Sequence, residues 1–112
     1  MTRGHRTTRF AASGAAMVLV FAAANAAAQE QFAPEQIKRG AAIYTQNCSA
    51  CHGPQMADPQ GAFDLRTFPP AEKSRFLNSV SKGKNQMPPW GDLFNAGEIE
   101  ALWAYVMAGE KK

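Results

Sequence analysis

Cys48-Ser49-Ala50-Cys51-His52 decides how this chain is read. Two thiols separated by two residues, with a histidine directly after the second, is the spacing that attaches a c-type haem. Cysteines three apart in a helical turn lie on one face and reach the two vinyl groups on one edge of a porphyrin. His52 is then carried under the ring, where an imidazole nitrogen binds the iron from one side. Rival readings of the same thiols are weaker. A dithiol redox pair belongs near a βαβ pattern, and the chain has no strand-rich pattern. A zinc site needs two further ligands, and no second C-x-x-C or H-x-x-x-H follows. A structural disulfide across two residues closes a tiny strained loop and stabilises little.

Upstream, Arg3, Arg6 and Arg9 precede an apolar stretch centred on Ala15 to Ala24, followed by small residues at Asn25 to Ala28. This is the layout of a secretory signal, with cleavage expected after Ala28. The apolar heart is too short to span a bilayer as a helix, which argues against an uncleaved anchor. No Arg-Arg pair is present, so the general secretory route is expected. The expected division is therefore a signal peptide over 1–28 and one mono-haem domain over 29–112, periplasmic and without a membrane span. The 29–112 part holds nine Lys/Arg and nine Asp/Glu. Its polypeptide charge is near zero, which leaves no case for nucleic-acid binding. A core of that size is marginal, and a covalently held haem gives it an apolar body to pack around.

Ala33-Pro34-Glu35 reads as a helix start, and Ile37, Ala41, Tyr44 and Cys48 make an apolar stripe of helical period. The first helix is expected from Pro34 to about Ser49, delivering the haem motif at its end. Gly40 inside the stripe suggests that another backbone comes close. The proline- and glycine-rich stretch from Gly53 to Pro70 reads as a loop with Phe63, Leu65 and Phe68 as its contacts. Pro70 opens a second expected helix, with Phe76, Leu77 and Val80 facing inward and Gly83 stopping it. Lys84 to Leu93 reads as irregular. The last helix starts at Asn95, with Glu98 completing a capping box. Ile99, Leu102, Trp103 and Val106 form its inward face, and Gly109 ends it.

The second axial ligand is read from the methionines, since a thioether is the usual partner of histidine in electron carriers. Met56 follows His52 too closely to cross the ring. Met107 lies late in the last helix. Met87 is far enough along the chain to reach the opposite face, and Pro88 and Pro89 stiffen the loop behind it. Met87 is therefore the expected distal iron ligand.

With these residues in hand, the chain resembles a small class I bacterial cytochrome c. The matching positions are Gly40 and Tyr44, then Cys48 to Gly53, then Gln86-Met87-Pro88-Pro89-Trp90, then Leu102 and Tyr105. The resemblance implies an all-α fold of three main helices and loops wrapped around one covalently attached haem c. It also implies that the first and last helices cross where Gly40 admits Leu102 or Tyr105. Phe63 stands where the family often has a proline whose carbonyl holds the ligating histidine, so the acceptor for His52 is expected somewhere in Pro59 to Leu65.

The function implied is one-electron carriage by Fe(III)/Fe(II) cycling, not enzymatic turnover, in a monomer. Its partners are redox proteins: a dehydrogenase donor, with Trp90-Gly91-Asp92 and the last helix resembling cytochromes that serve quinoprotein alcohol dehydrogenases, and an oxidase or other acceptor. If Met87 does not bind, a five-coordinate peroxidase-like enzyme or gas-binding module becomes the reading. No distal histidine supports that, because His5 lies in the signal. Lys73, Arg75, Lys82 and Lys84 are candidates for steering an acidic partner. Arg66 and Trp90 are candidates for binding a haem propionate.

Overall fold

The computed structural model describes residue 4, residues 11–19 and residues 31–109. Residues 11–19 carry no helix or strand, and Met17, Val18 and Leu19 are exposed. The charged start, the end of the apolar stretch and the expected cleavage at Ala28 lie outside the described residues. Among the described residues, no helix is long and apolar enough to cross a membrane.

The fold is all-α. Helix α1 spans Pro34–Asn47, α2 Ser49–His52, α3 Lys73–Lys82 and α4 Ala96–Ala108, with 3-10 turns at Pro54–Met56, Leu65–Thr67 and Pro70–Glu72. The first expected helix is thus broken at Cys48, whose backbone sits at φ −115 and ψ −30. The cause is local. Thr45, Asn47 and Ser49 side chains donate to the carbonyls of Ala41, Ile43 and Thr45 at 2.8, 2.9 and 2.7 Å. Such bonds from short polar side chains bend a helix at its end. The second expected helix starts three residues later than Pro70, because Pro69 and Pro70 leave a 3-10 turn before the α geometry sets in.

Helix α4 begins as expected. Asn95 Oδ1 accepts from the Glu98 amide at 2.9 Å, and the Glu98 carboxylate accepts from the Asn95 amide at 3.3 Å. Ala101 through Val106 are all buried, so this helix is wrapped on every side. Helix α1 packs along it and α3 packs on another side. The closest point of α1 is Gly40. A Cβ there would run into the Ala101 carbonyl and lie 2.9 Å from Tyr105 Cβ. Of the two expected partners, Leu102 or Tyr105, it is Tyr105 that stands among the nearest atoms, beside the Ala101 backbone. Tyr44, Met56, Phe76, Leu102, Trp103, Tyr105 and Val106 form the core.

Candidate haem site

The short helix α2 carries Cys51 and His52, and Cys48 sits at the kink before it. Amides of Cys51 and His52 both donate to the Cys48 carbonyl, at 3.2 and 2.9 Å. One tight turn therefore holds both thiols and the imidazole. Cys48 is half-buried and Cys51 exposed, and the two are not bridged. Burial, with the Cys51 sulfur adding, pushes the Cys48 thiol up to about 11.

His52 Nδ1 lies 3.0 Å from the Phe63 carbonyl, which accepts its N–H. The acceptor expected between Pro59 and Leu65 is thus Phe63 itself. This fixes the tautomer: the proton is on Nδ1, and Nε2 keeps its lone pair for a metal.

Gly53, next in the chain, is left-handed at φ 87, and a Cβ there would strike the backbone of Ala57. Its carbonyl accepts from the buried Tyr44 hydroxyl at 2.6 Å and from the Met56 amide at 3.2 Å. The Tyr44 ring packs on Tyr105 with centroids 5.1 Å apart. Helix α1 is tied in this way to the peptide behind His52. Burial pushes the Tyr44 phenol from 10.0 up to about 12, against the smaller opposing effect of the Met56 amide. The folded chain therefore holds this proton more tightly than the unfolded one. That stability is complete below pH 10 and is lost as pH rises from 10 to 12. Tyr44→Phe is expected to flatten this alkaline slope in denaturant titrations. At neutral pH it should cost about 1 kcal/mol, since Gly53 keeps its second donor.

A cavity of about 730 Å³ opens beside this motif. Sites for cofactor-sized ligands run from about 300 to 1,000 Å³. Cys48, Cys51 and His52 line one part of it. Phe68, Phe76, Val80 and Leu102 supply apolar wall, and Lys84 to Pro88 with Trp90 supply another part. Two thiols, an imidazole with a bare Nε2 and a thioether around an apolar volume fit a covalently held haem.

Met87 enters this cavity from a tight turn that the sequence did not announce. Lys84 and Met87 exchange backbone hydrogen bonds at 3.0 and 2.9 Å. Asn85, at φ 54, takes the left-handed first corner. The Trp90 and Gly91 amides then donate to the carbonyls of Val80 and Ser81 at 2.9 and 3.0 Å, lashing the loop to the end of α3. An Asn two residues past a Gly was the available signal. Met56 is 1% exposed in the core. Met56 and Met107 line a separate, smaller cavity of about 210 Å³ and not this one.

The charged candidates divide. Arg66 is held by Asp64 through Nε at 3.1 Å and Nη2 at 3.2 Å, and it lines the smaller cavity. Of the two propionate candidates, Trp90 lines the large cavity and Arg66 does not. Lys73 pairs with Glu100 at 2.9 Å. Arg75 pairs with Glu72 and lies 4.5 Å over the Phe68 ring. The expected four-charge cluster is therefore partly neutralised within the fold. Arg75 and Lys84 line the cavity.

Residues 35–106 match the family model described as cytochrome c oxidase, cbb3-type, subunit III. The chain belongs to this family of c-type cytochromes. It is 32% identical over 79 residues to cytochrome c6 of Bryopsis maxima, covering 60% of this chain and 84% of that one. To cytochrome c6 of Microcystis aeruginosa it is 31% identical over 78 residues, covering 65% and 96%. It is also similar to the quinohemoprotein alcohol dehydrogenase ADH IIB of Pseudomonas putida, 36% identical over 83 residues. That match covers 70% of this chain but only 12% of the dehydrogenase. No solved structure gives a significant match. The protein is accordingly a small class I mono-haem cytochrome c, an electron carrier with covalently bound haem c, and Cys48 and Cys51 fit its attachment motif.

Proposed function

We propose that the 29–112 part works as an exported, periplasmic, monomeric one-electron carrier. In this reading Cys48 and Cys51 hold the haem as thioethers, His52 is the proximal iron ligand and Met87 the distal one. The observation that carries it is the sharing of one apolar cavity by these four residues, while Met56 and Met107 line another. The haem supplies Fe(III)/Fe(II) cycling. The chain's own work is to bind, orient and shield. The Cys48–Cys51 turn fixes one edge, the Phe63 carbonyl fixes the imidazole, and the Lys84–Met87 turn holds the thioether. With His52 and Met87 both holding the iron, no position would remain open for a substrate, which favours carriage over catalysis.

A quinoprotein dehydrogenase is proposed as the donor. The similarity to part of a quinohemoprotein alcohol dehydrogenase supports this, as does the resemblance of Trp90-Gly91-Asp92 and α4 to small cytochromes that serve quinoprotein alcohol dehydrogenases. An oxidase or another redox protein is the proposed acceptor.

Acid–acetone extraction of the purified protein is expected to leave the haem on the chain, with intact mass exceeding the mature polypeptide by one haem. The reduced protein should show the sharp α and β bands of six-coordinate low-spin iron. A broad high-spin spectrum would move the reading to a five-coordinate haem enzyme or gas-binding module. Absence of a Soret band would remove the haem altogether.

A further inference from the structure

We propose that the ring of Phe63 is a positioning group for His52, so that an aromatic side chain on the loop sets the reduction potential of the iron site. The inference rests on the reading of His52 as iron ligand and goes beyond it.

Three observations carry it. First, the acceptor of the His52 N–H is the Phe63 carbonyl, at 3.0 Å, in an irregular stretch whose upstream tie is the Gln60 amide donating to the Cys51 carbonyl at 3.0 Å. Residues 57–64 contain no helix or strand. Upstream, Gly61 is left-handed at φ 78, and a Cβ there would meet nothing within 4 Å. Second, the peptide is anchored downstream. The Asp64 carboxylate accepts from the Arg66 amide at 3.0 Å and from its guanidinium, and the Asp64 carbonyl accepts from the Thr67 hydroxyl at 2.8 Å. Third, Phe63 has its own side-chain anchor. Its ring meets the Phe68 ring edge-on, with centroids 5.8 Å apart. Phe68 in turn packs edge-on against Phe76 at 5.6 Å and Trp103 at 6.0 Å, with Arg75 over its face. Rigid core is thereby transmitted through two rings to the carbonyl that takes the His52 proton.

The sign of the effect follows from donor strength. A carbonyl accepting from Nδ1–H makes the imidazole a stronger donor. A stronger donor favours Fe(III) and lowers the potential. Removing the ring frees the carbonyl, weakens the hydrogen bond and raises the potential. The competing role for Phe63 is cover, since it also lines the cavity. Removing a cover admits water, which stabilises the more highly charged Fe(III) site and lowers the potential. The two roles therefore predict opposite shifts.

The test compares the wild-type holoprotein with Phe63→Ala and Phe63→Tyr by redox titration and by NMR exchange of the His52 Nδ1–H. Phe63→Ala is expected to raise the potential and to speed exchange about fivefold, the scale of one lost net hydrogen bond. Phe63→Tyr keeps the ring and should match wild type in both. A potential that is unchanged or lower in Phe63→Ala overturns the inference, as does a Phe63→Tyr shift equal to that of Phe63→Ala. These outcomes leave the haem reading intact, provided that the wild type shows the low-spin c-type spectrum. A wild type without that spectrum overturns the haem reading, and the positioning role falls with it.

Discussion

Met87→Ala is expected to lower the reduction potential by on the order of 0.1 V, since axial ligand identity spreads haem potentials over about 0.8 V. The reason is that a thioether favours Fe(II) relative to harder ligands or water. The oxidised variant should lose the weak near-infrared sulfur-to-iron band, and the reduced variant should bind carbon monoxide readily. The placement of the methionines supports this proposed assignment. Of the methionines in the 31–109 segment, Met87 lines the large cavity with His52, whereas Met56 and Met107 line the smaller one.

The geometry also says why another ligand should not simply replace it. The turn that bears Met87 is closed by two backbone hydrogen bonds, and Gly83 before it has no room for a Cβ, which would lie 2.7 Å from the Met87 carbonyl and 2.9 Å from Pro89 N. Lys84, Asn85 and Gln86 line the cavity from the same turn, but none carries a thioether, so none restores the sulfur-to-iron band. Met56→Ala should keep the sulfur-to-iron band and lose stability instead, by about 2–5 kcal/mol for a buried methionine. If Met56→Ala loses the band while Met87→Ala keeps it, the distal assignment is wrong. Ready binding of carbon monoxide by the wild-type reduced protein at neutral pH would count against the electron-carrier reading itself.

What was legible in the sequence was what is local. The five-residue motif, the apolar stripes of α1, α3 and α4, and the Asn95–Glu98 capping box each depend on residues a few positions apart, and they read out directly. The break at Cys48 was less visible. It comes from three polar side chains competing for carbonyls that the helix would otherwise use, and each such residue is by itself an ordinary helix-surface residue. The turn at Lys84–Met87 is masked in the sequence by Pro88 and Pro89, which are by themselves enough to stiffen a loop.

Non-local placement was not legible. Arg66 and Arg75 look alike in sequence. Arg66 turns back onto its near neighbour Asp64 and lines the smaller cavity, whereas packing lays Arg75 over Phe68 at the large one. The aromatic series from Phe63 through Phe68 to Trp103 joins a loop to α4, and nothing in the spacing of those residues announces the pairing. Lys73 is a candidate for steering a partner by its sequence, whereas in the fold it pairs with Glu100 on a different helix. Charge patterns along a chain say which residues can reach water. They do not say which opposite charge the fold has brought alongside.

Gly40→Val is expected to be among the most damaging single changes outside the haem motif. The hydrogen at this Cα faces α4 so closely that even a methyl group would overlap the Ala101 carbonyl, with the carbonyl carbon at 2.6 Å and Tyr105 Cβ at 2.9 Å. These are backbone and helix-bound atoms, so no rotamer change relieves the contact. Helix α1 must move away from α4 as a body. Tyr44 lies one turn further along α1, bonded to Gly53 and packed on Tyr105. Displacing α1 therefore disturbs the clamp behind His52 as well as the core. Overpacking a well-filled contact costs about 1–3 kcal/mol, and occasionally more. For Gly40→Ala, up to about 1 kcal/mol of this is offset by the better helix propensity of alanine. Valine adds two methyl groups at the contact and a χ1 restriction, so its cost should exceed 3 kcal/mol against a total stability of about 5–15 kcal/mol. Thermal unfolding of the two holoproteins measures this directly. The order wild type, Gly40→Ala, Gly40→Val in falling stability is the expected result. A Gly40→Val protein as stable as wild type would mean that α1 and α4 do not meet at this glycine.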